Sequence, residues 1–206
     1  MLRPGLAEPS ESVEAIPLLR KRRVLGIAIP LINAPILAWN VYVLSDALAA
    51  GVFTLNSFEA LDVLIVIAAA VLVGVLVPWW TPVYYSSYYL EAAGFSARRF
   101  MRRDLLVPYK SLDRVELYIR EPGEISDEAK KYVKESSDDL RKAGMRFVDY
   151  TNSEANIVLL LTGNRVVMVS PSKPKAFLKS LKRRAPRLRA KIVELGPRGK
   201  MVQELD

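Results

Sequence analysis

Hydrophobic positions in the first half of the chain do not alternate with polar ones; they run together. Val24–Leu44 is 21 residues without a charge, and Val63–Trp80 is 18. As helices they extend about 31 Å and about 27 Å, against a hydrocarbon core of roughly 30 Å. Both predict membrane spans, joined by an outer loop over residues 45–62. A buried helical hairpin is the soluble alternative, but a small domain offers little cover for two helices apolar on every side. A cleavable signal peptide competes for the first span, because Ala47-Leu48-Ala49 has a small-x-small form. The run exceeds the usual apolar region of such peptides, which favours an uncleaved anchor.

From Tyr84 the pattern becomes alternating. In YYSSYYL, Tyr84, Ser86, Tyr88 and Leu90 share one face of a strand, and Gly94 marks a turn. Phe95–Met101, Leu105–Tyr109 and Arg114–Ile119 predict further strands, the last with Val115, Leu117 and Ile119 inward. Asn156–Leu161 and Arg165–Ser170 flank Thr162-Gly163-Asn164 and predict a hairpin. Lys175–Arg184 predicts a closing helix with Phe177, Leu178 and Leu181 on one face, stopped by Pro186. Between the strand groups, residues 121–150 form an excursion with one surface helix. Ser126 is its N-cap, Asp127 and Glu128 fill its first turn, and Gly144 ends it. Tyr132, Val133, Ser136 and Leu140 give that helix a narrow apolar stripe, and Phe147–Tyr150 suggests one more strand. Residues 187–206, basic and punctuated by Gly196-Pro197 and Gly199, read as a flexible tail. A small antiparallel β-barrel or sandwich with a C-terminal capping helix, an α+β domain over residues 81–186, accommodates this order.

Charge adds a topology. All 30 Lys and Arg lie outside residues 24–97, a stretch whose only charges are Asp46, Glu59, Asp62 and Glu91. Arg20–Arg23 precede the first span, and Arg98, Arg99, Arg102 and Arg103 follow the second. The positive-inside rule then puts both termini, residues 1–23 and 81–206, in the cytoplasm and the loop outside: a two-pass protein of the cell membrane. Trp39, Tyr42, Trp79, Trp80, Tyr84 and Tyr85 suit the two interfaces. Ala34/Ala38 and Ala70/Gly74 have the spacing that lets helices approach closely, within the pair or between copies in a homo-oligomer. Asn33 and Asn40 suit packing better than a substrate or ion path, since no ionisable group accompanies them.

The run YYLEAAGFSARRFMRRDLLVPYKSLDRVELYI, followed by NIVLLLTGNRVVMVSPSKPKAFLKSLKRR, resembles the prokaryotic pleckstrin-homology-like domain. The resemblance rests on Tyr88, Leu90 and Gly94, on Val107-Pro108-Tyr109 leading to Leu112 and Val115, on the Leu-Thr-Gly hairpin, and on the Phe177/Leu178/Leu181 helix. It covers about half the chain and implies a PH-like barrel, often preceded in that family by two membrane spans. The 30-residue excursion departs from the family pattern.

Little catalytic chemistry is available. With no histidine and no cysteine, thiolate and imidazole nucleophiles and the commonest metal ligands are absent. Asp127-Glu128 and Asp138-Asp139 are adjacent on a helix and point apart. Asp46, Glu59 and Asp62 lack a calcium-loop spacing. No cofactor and no catalysis are expected. Residues 98–206 carry 25 bases against 15 acids. Arg98, Arg99, Arg102 and Arg103 are the candidates for contact with anionic headgroups or the leaflet, each basic group contributing about 1 kcal/mol there. Tyr132, Val133, Leu140, Lys179, Lys182 and Arg183 are the candidates for a protein partner. Nucleic acid is disfavoured, because no aromatic platform interleaves the basic cluster at 173–189. The expectation is a membrane-anchored interaction module at the inner leaflet. The alternative is an accessory subunit that contacts a transport or enzyme complex through its spans.

Overall fold

The computed structural model describes residues 11–51, 58–80, 82–121 and 126–205. They fall into two compact units: Leu18–Tyr84, and a second made of the chain up to Pro17 together with everything from Tyr85 onward.

The first unit is helical. Helix α1, Arg20–Ala49, contains Pro30 and Pro35. Asn33 and Asn40 each donate from Nδ2 to the carbonyl one turn back, Ile29 and Ile36, at 2.8 Å. They therefore satisfy backbone locally, as polar groups in an apolar helix must. Helix α2, Phe58–Val71, passes through a π turn at Leu72–Leu76 into α3, Val77–Trp80. The two arms run antiparallel: a Cβ on Gly74 would sit 3.8 Å from that of Asn33, and one on Gly26 would meet the Val83 carbonyl at 2.8 Å. Gly26 is thus glycine because backbone passes against it. Among the described residues one helix, Arg20–Ala49, is long and apolar enough to cross a membrane; the second apolar stretch, Leu61–Leu76, is shorter. Of the expected pair of spans, one meets the requirement by length and composition.

The second unit is rich in sheet. Strands β1 (Glu11–Val13), β2 (Ser86–Leu90), β3 (Gly94–Arg99) and β4 (Leu105–Pro108) form an antiparallel sheet in that order. Pro108 ends the edge strand, where its missing N–H costs no ladder bond. Then come β5 (Arg114–Arg120), α4 (Asp127–Lys142), β6 (Arg146–Asp149), β7 (Asn156–Thr162), β8 (Arg165–Val169), α5 (Pro174–Arg184), β9 (Arg189–Gly196) and β10 (Gly199–Leu205). Their strands form a second sheet ordered β10-β9-β5-β7-β8-β6.

Alternation along β5 divides two apolar layers. Val115 and Leu117 point into the main core, with Tyr88, Leu90 and Phe95 of the first sheet and Phe177, Leu178 and Leu181 of α5. Phe95 is its aromatic hub, with ring centroids 6.0 Å from Tyr88 and 5.5 Å, edge-on, from Phe177. On the opposite face Tyr118, Leu159, Val166, Val193 and Leu195 pack beneath α4, around its buried Ala129. The Ser126 hydroxyl accepts from the Ala129 N–H, and Gly144 has a φ of 76°, so both ends of α4 lie where capping chemistry put them.

Three expectations change. Within 187–206, expected as a loose tail, the described residues form two strands: β9 lies between β10 and β5 and is paired on both sides. Lys191 and Glu194 disguised a strand whose Ala190 and Ile192 face one layer and whose Val193 and Leu195 face the other. The sheets are not wholly antiparallel, because β9 runs parallel to β5 and β6 parallel to β8. And the segment before the helices is part of the sheet unit: β1 pairs with β2, and Ile16 donates to the Ser170 carbonyl at 3.0 Å.

Candidate functional site

The four arginines expected to face the leaflet do not converge. Arg99 is buried. Its Nε donates to Ser86 Oγ at 2.8 Å, and its two terminal nitrogens donate to the carbonyls of Asp149 (2.9 Å) and Thr151 (3.3 Å). Arg102 donates to the same Asp149 carbonyl at 2.6 Å. Both guanidinium groups lie over the Tyr150 ring, at 5.1 and 4.8 Å, whose hydroxyl donates to the Arg103 carbonyl at 2.7 Å. Burial lowers the Arg99 pKa from its ordinary value, against the opposing pull of Asp149. This is a clamp that ties the end of β3 to the end of β6 and the residues just after it, the role a rigid five-donor fork suits. Arg98 is exposed but engaged, 3.2 Å from Glu91, 3.4 Å from Asp104 and 5.0 Å above Tyr89. Arg103 is exposed.

The clamp continues into a buried polar knot. Asn152 donates from Nδ2 to the Ser86 carbonyl (2.9 Å) and accepts from the Ser86 N–H (2.7 Å), pairing with it as a strand would. Its own N–H donates to Ser170 Oγ at 2.7 Å, and the Tyr88 hydroxyl donates to the Tyr150 carbonyl at 2.6 Å. These groups satisfy one another, as a buried polar network that rigidifies a core requires.

The residues expected to contact a partner are split across the large sheet. Lys179, Lys182 and Arg183 lie on α5, over the main core; Lys182 reaches the Leu205 carbonyl at 3.5 Å. Neighbouring bases there are already paired: Arg184 with Glu11 at 2.8 Å and Lys175 with Glu194 at 2.7 Å. Tyr132, Val133 and Leu140 lie on α4, on the other side. Of these six residues Val133 lines a cavity beneath α4.

That cavity is a cleft of about 440 Å³ between α4 and the outer face of the large sheet. Its floor comes from alternate positions of β5, β7, β8 and β9: Tyr118, Ile157 and Leu159, Met168, and Leu195. Ala129, Val133, Ser136 and Ser137 of α4 form one wall, and Arg120, Lys130 and Glu154 supply charges. Tyr118 shapes the interior. Its hydroxyl donates to Glu116 Oε2 at 2.8 Å and lies 2.9 Å from Ser136 Oγ, while Arg114 holds the buried Glu116 at 3.0 Å. Desolvation, and then the Glu116 charge, push the Tyr118 pKa well above the usual phenol range. The phenol therefore stays protonated at neutral pH and donates to Glu116. Lys191 and Lys200 stand 5.4 and 4.1 Å over the Tyr132 ring, binding α4 to β9 and β10.

The sequence signalled α4 and its stripe, but not the cleft, whose floor depends on β9 lying beside β5. An apolar concavity with few polar groups is a binding geometry. Among the described residues no group of three metal-ligating side chains gathers. The chain matches no known family model, no curated protein and no solved structure, so the functional reading rests on this geometry alone.

Proposed function

We propose that the chain is a membrane-anchored, non-catalytic interaction module. It crosses the bilayer twice, displays its sheet unit at the cytoplasmic face, and docks a protein partner in the cleft beneath α4. The observation that carries this is the way the helical unit is spliced into the sheet unit. Strand β1 pairs with β2, Glu11 opposite Leu90; the chain leaves one folded unit at Pro17 and rejoins it at Tyr85. A helix that crosses a membrane between those points obliges the chain to cross back, and among the described residues the arm at 58–80 is the candidate for the return. Its uncharged part, Val63–Trp80, extends about 27 Å as a helix, close to a hydrocarbon core of roughly 30 Å. The basic residues at 20–23 and 98–103, flanking both ends, set the side.

Arginines locked in a clamp make a poor headgroup site, whereas the cleft suits apolar side chains of a polypeptide, with charges of both signs at its edge. A photo-crosslinking residue at Val133, in the full chain in its native membrane, tests the docking. A discrete protein adduct that is lost on Ser137→Trp, which fills the cleft, supports the proposal. Adducts to lipid alone, or an adduct indifferent to Ser137→Trp, refute it.

A further inference from the structure

We infer that β10 is a self-complementary edge through which two copies of the chain join, sheet to sheet, about a two-fold axis at Val202. This inference is independent of the membrane reading. β10 ends the large sheet, and among the described residues no strand lies beyond it. Met201 is 61% exposed and Val202 42%, and the strand has no proline or bulge to blunt it. Such an edge is a template for pairing.

The ladder determines which groups face outward. Glu121 donates its N–H to the Leu195 carbonyl at 2.9 Å, so the backbone polar groups of Leu195 point towards β5. Since these groups alternate sides along a strand, those of Glu194, Ile192 and Ala190 point towards β10. Their register partners Met201, Gln203 and Leu205 point back at β9. The N–H and C=O of Lys200, Val202 and Glu204 are therefore left facing outward.

Antiparallel pairing with a second copy must match these outward residues with one another. Centring on Val202 sets Lys200 opposite the other copy's Glu204, Glu204 opposite its Lys200, and Val202 opposite Val202. The ladder then runs the whole length of β10. Slipping by one allowed step in either direction places a charge opposite Val202 and shortens the ladder. The lysine and glutamate that would repel a generic edge thus become attractive in one register with one partner, this same chain.

The absence of cysteine makes disulfide trapping clean in the full chain. Val202→Cys should form an intermolecular disulfide under mild oxidation, since facing Cα atoms in a hydrogen-bonded pair are about 5.5 Å apart. Lys200→Cys alone should not, because its own counterpart is about 14 Å away, while a mixture of Lys200→Cys and Glu204→Cys chains should. Lys200→Glu or Glu204→Lys alone should weaken self-association about tenfold, and mixing the two should restore it as a heterodimer. A chain that stays uncrosslinked at Val202 overturns the inference. So does crosslinking as strong at Lys200 alone, as copies joined elsewhere would give, or a mixture no better associated than either charge variant by itself.

Discussion

Single residues do most where they replace missing backbone pairing. Asn152 completes the Ser86 end of β2 with one side chain that both donates and accepts. Asn152→Ala strands a buried N–H and C=O, and should lower unfolding stability by about 3 kcal/mol in chemical denaturation. Arg99→Lys should also destabilise, because an ammonium cannot span Ser86 Oγ and two carbonyls; Arg103→Gln, at an exposed side chain, should not. Tyr118 gives stability a pH dependence. Its folded pKa is raised above the ordinary 10.0, so its contribution is complete below about pH 10 and fades as pH climbs past it. Tyr118→Phe should cost about 1 kcal/mol at neutral pH and flatten the alkaline loss of stability; an unchanged slope would show that the hydroxyl is not held as described.

Elements differ in how firmly they are held. α4 touches the sheet through Ala129, Tyr132 and Leu140 and roofs a cleft, whereas β5, β7 and β9 are paired on both sides. Hydrogen exchange should therefore open α4 before those strands, and Ser126→Ala, costing about 1 kcal/mol of cap, should speed α4 without affecting the strands. Truncation after Leu188 should abolish folding of the sheet unit, since it removes the strand between β5 and β10; retained cooperative unfolding would contradict that pairing. These elements were unequally legible. The helix at 127–142 and the hairpin at 156–169 announce themselves through local chemistry: a serine cap, a glycine stop, a Thr-Gly-Asn turn between alternating strands. β9 did not, because a strand buried on both faces alternates only weakly and its charges lie in view. β1 is three residues long and exists through its pairing with β2, across the helical unit. The arginine clamp was equally hidden: four nearby arginines read alike until a distant loop claims two of them.

For the whole molecule, the splice between the two units carries the account. The chain leaves the sheet unit at Pro17 and rejoins it at Tyr85, so the round trip proposed above would put Ser12 and Lys179 on one side of the membrane and Ala50 on the other. The most direct test is thiol labelling of single-cysteine variants in intact cells with a membrane-impermeant reagent, the native chain supplying no background. The account predicts that Ala50→Cys is labelled from outside while Ser12→Cys and Lys179→Cys stay protected until the cells are opened. Equal protection of all three, or labelling of Lys179→Cys from outside, would contradict it.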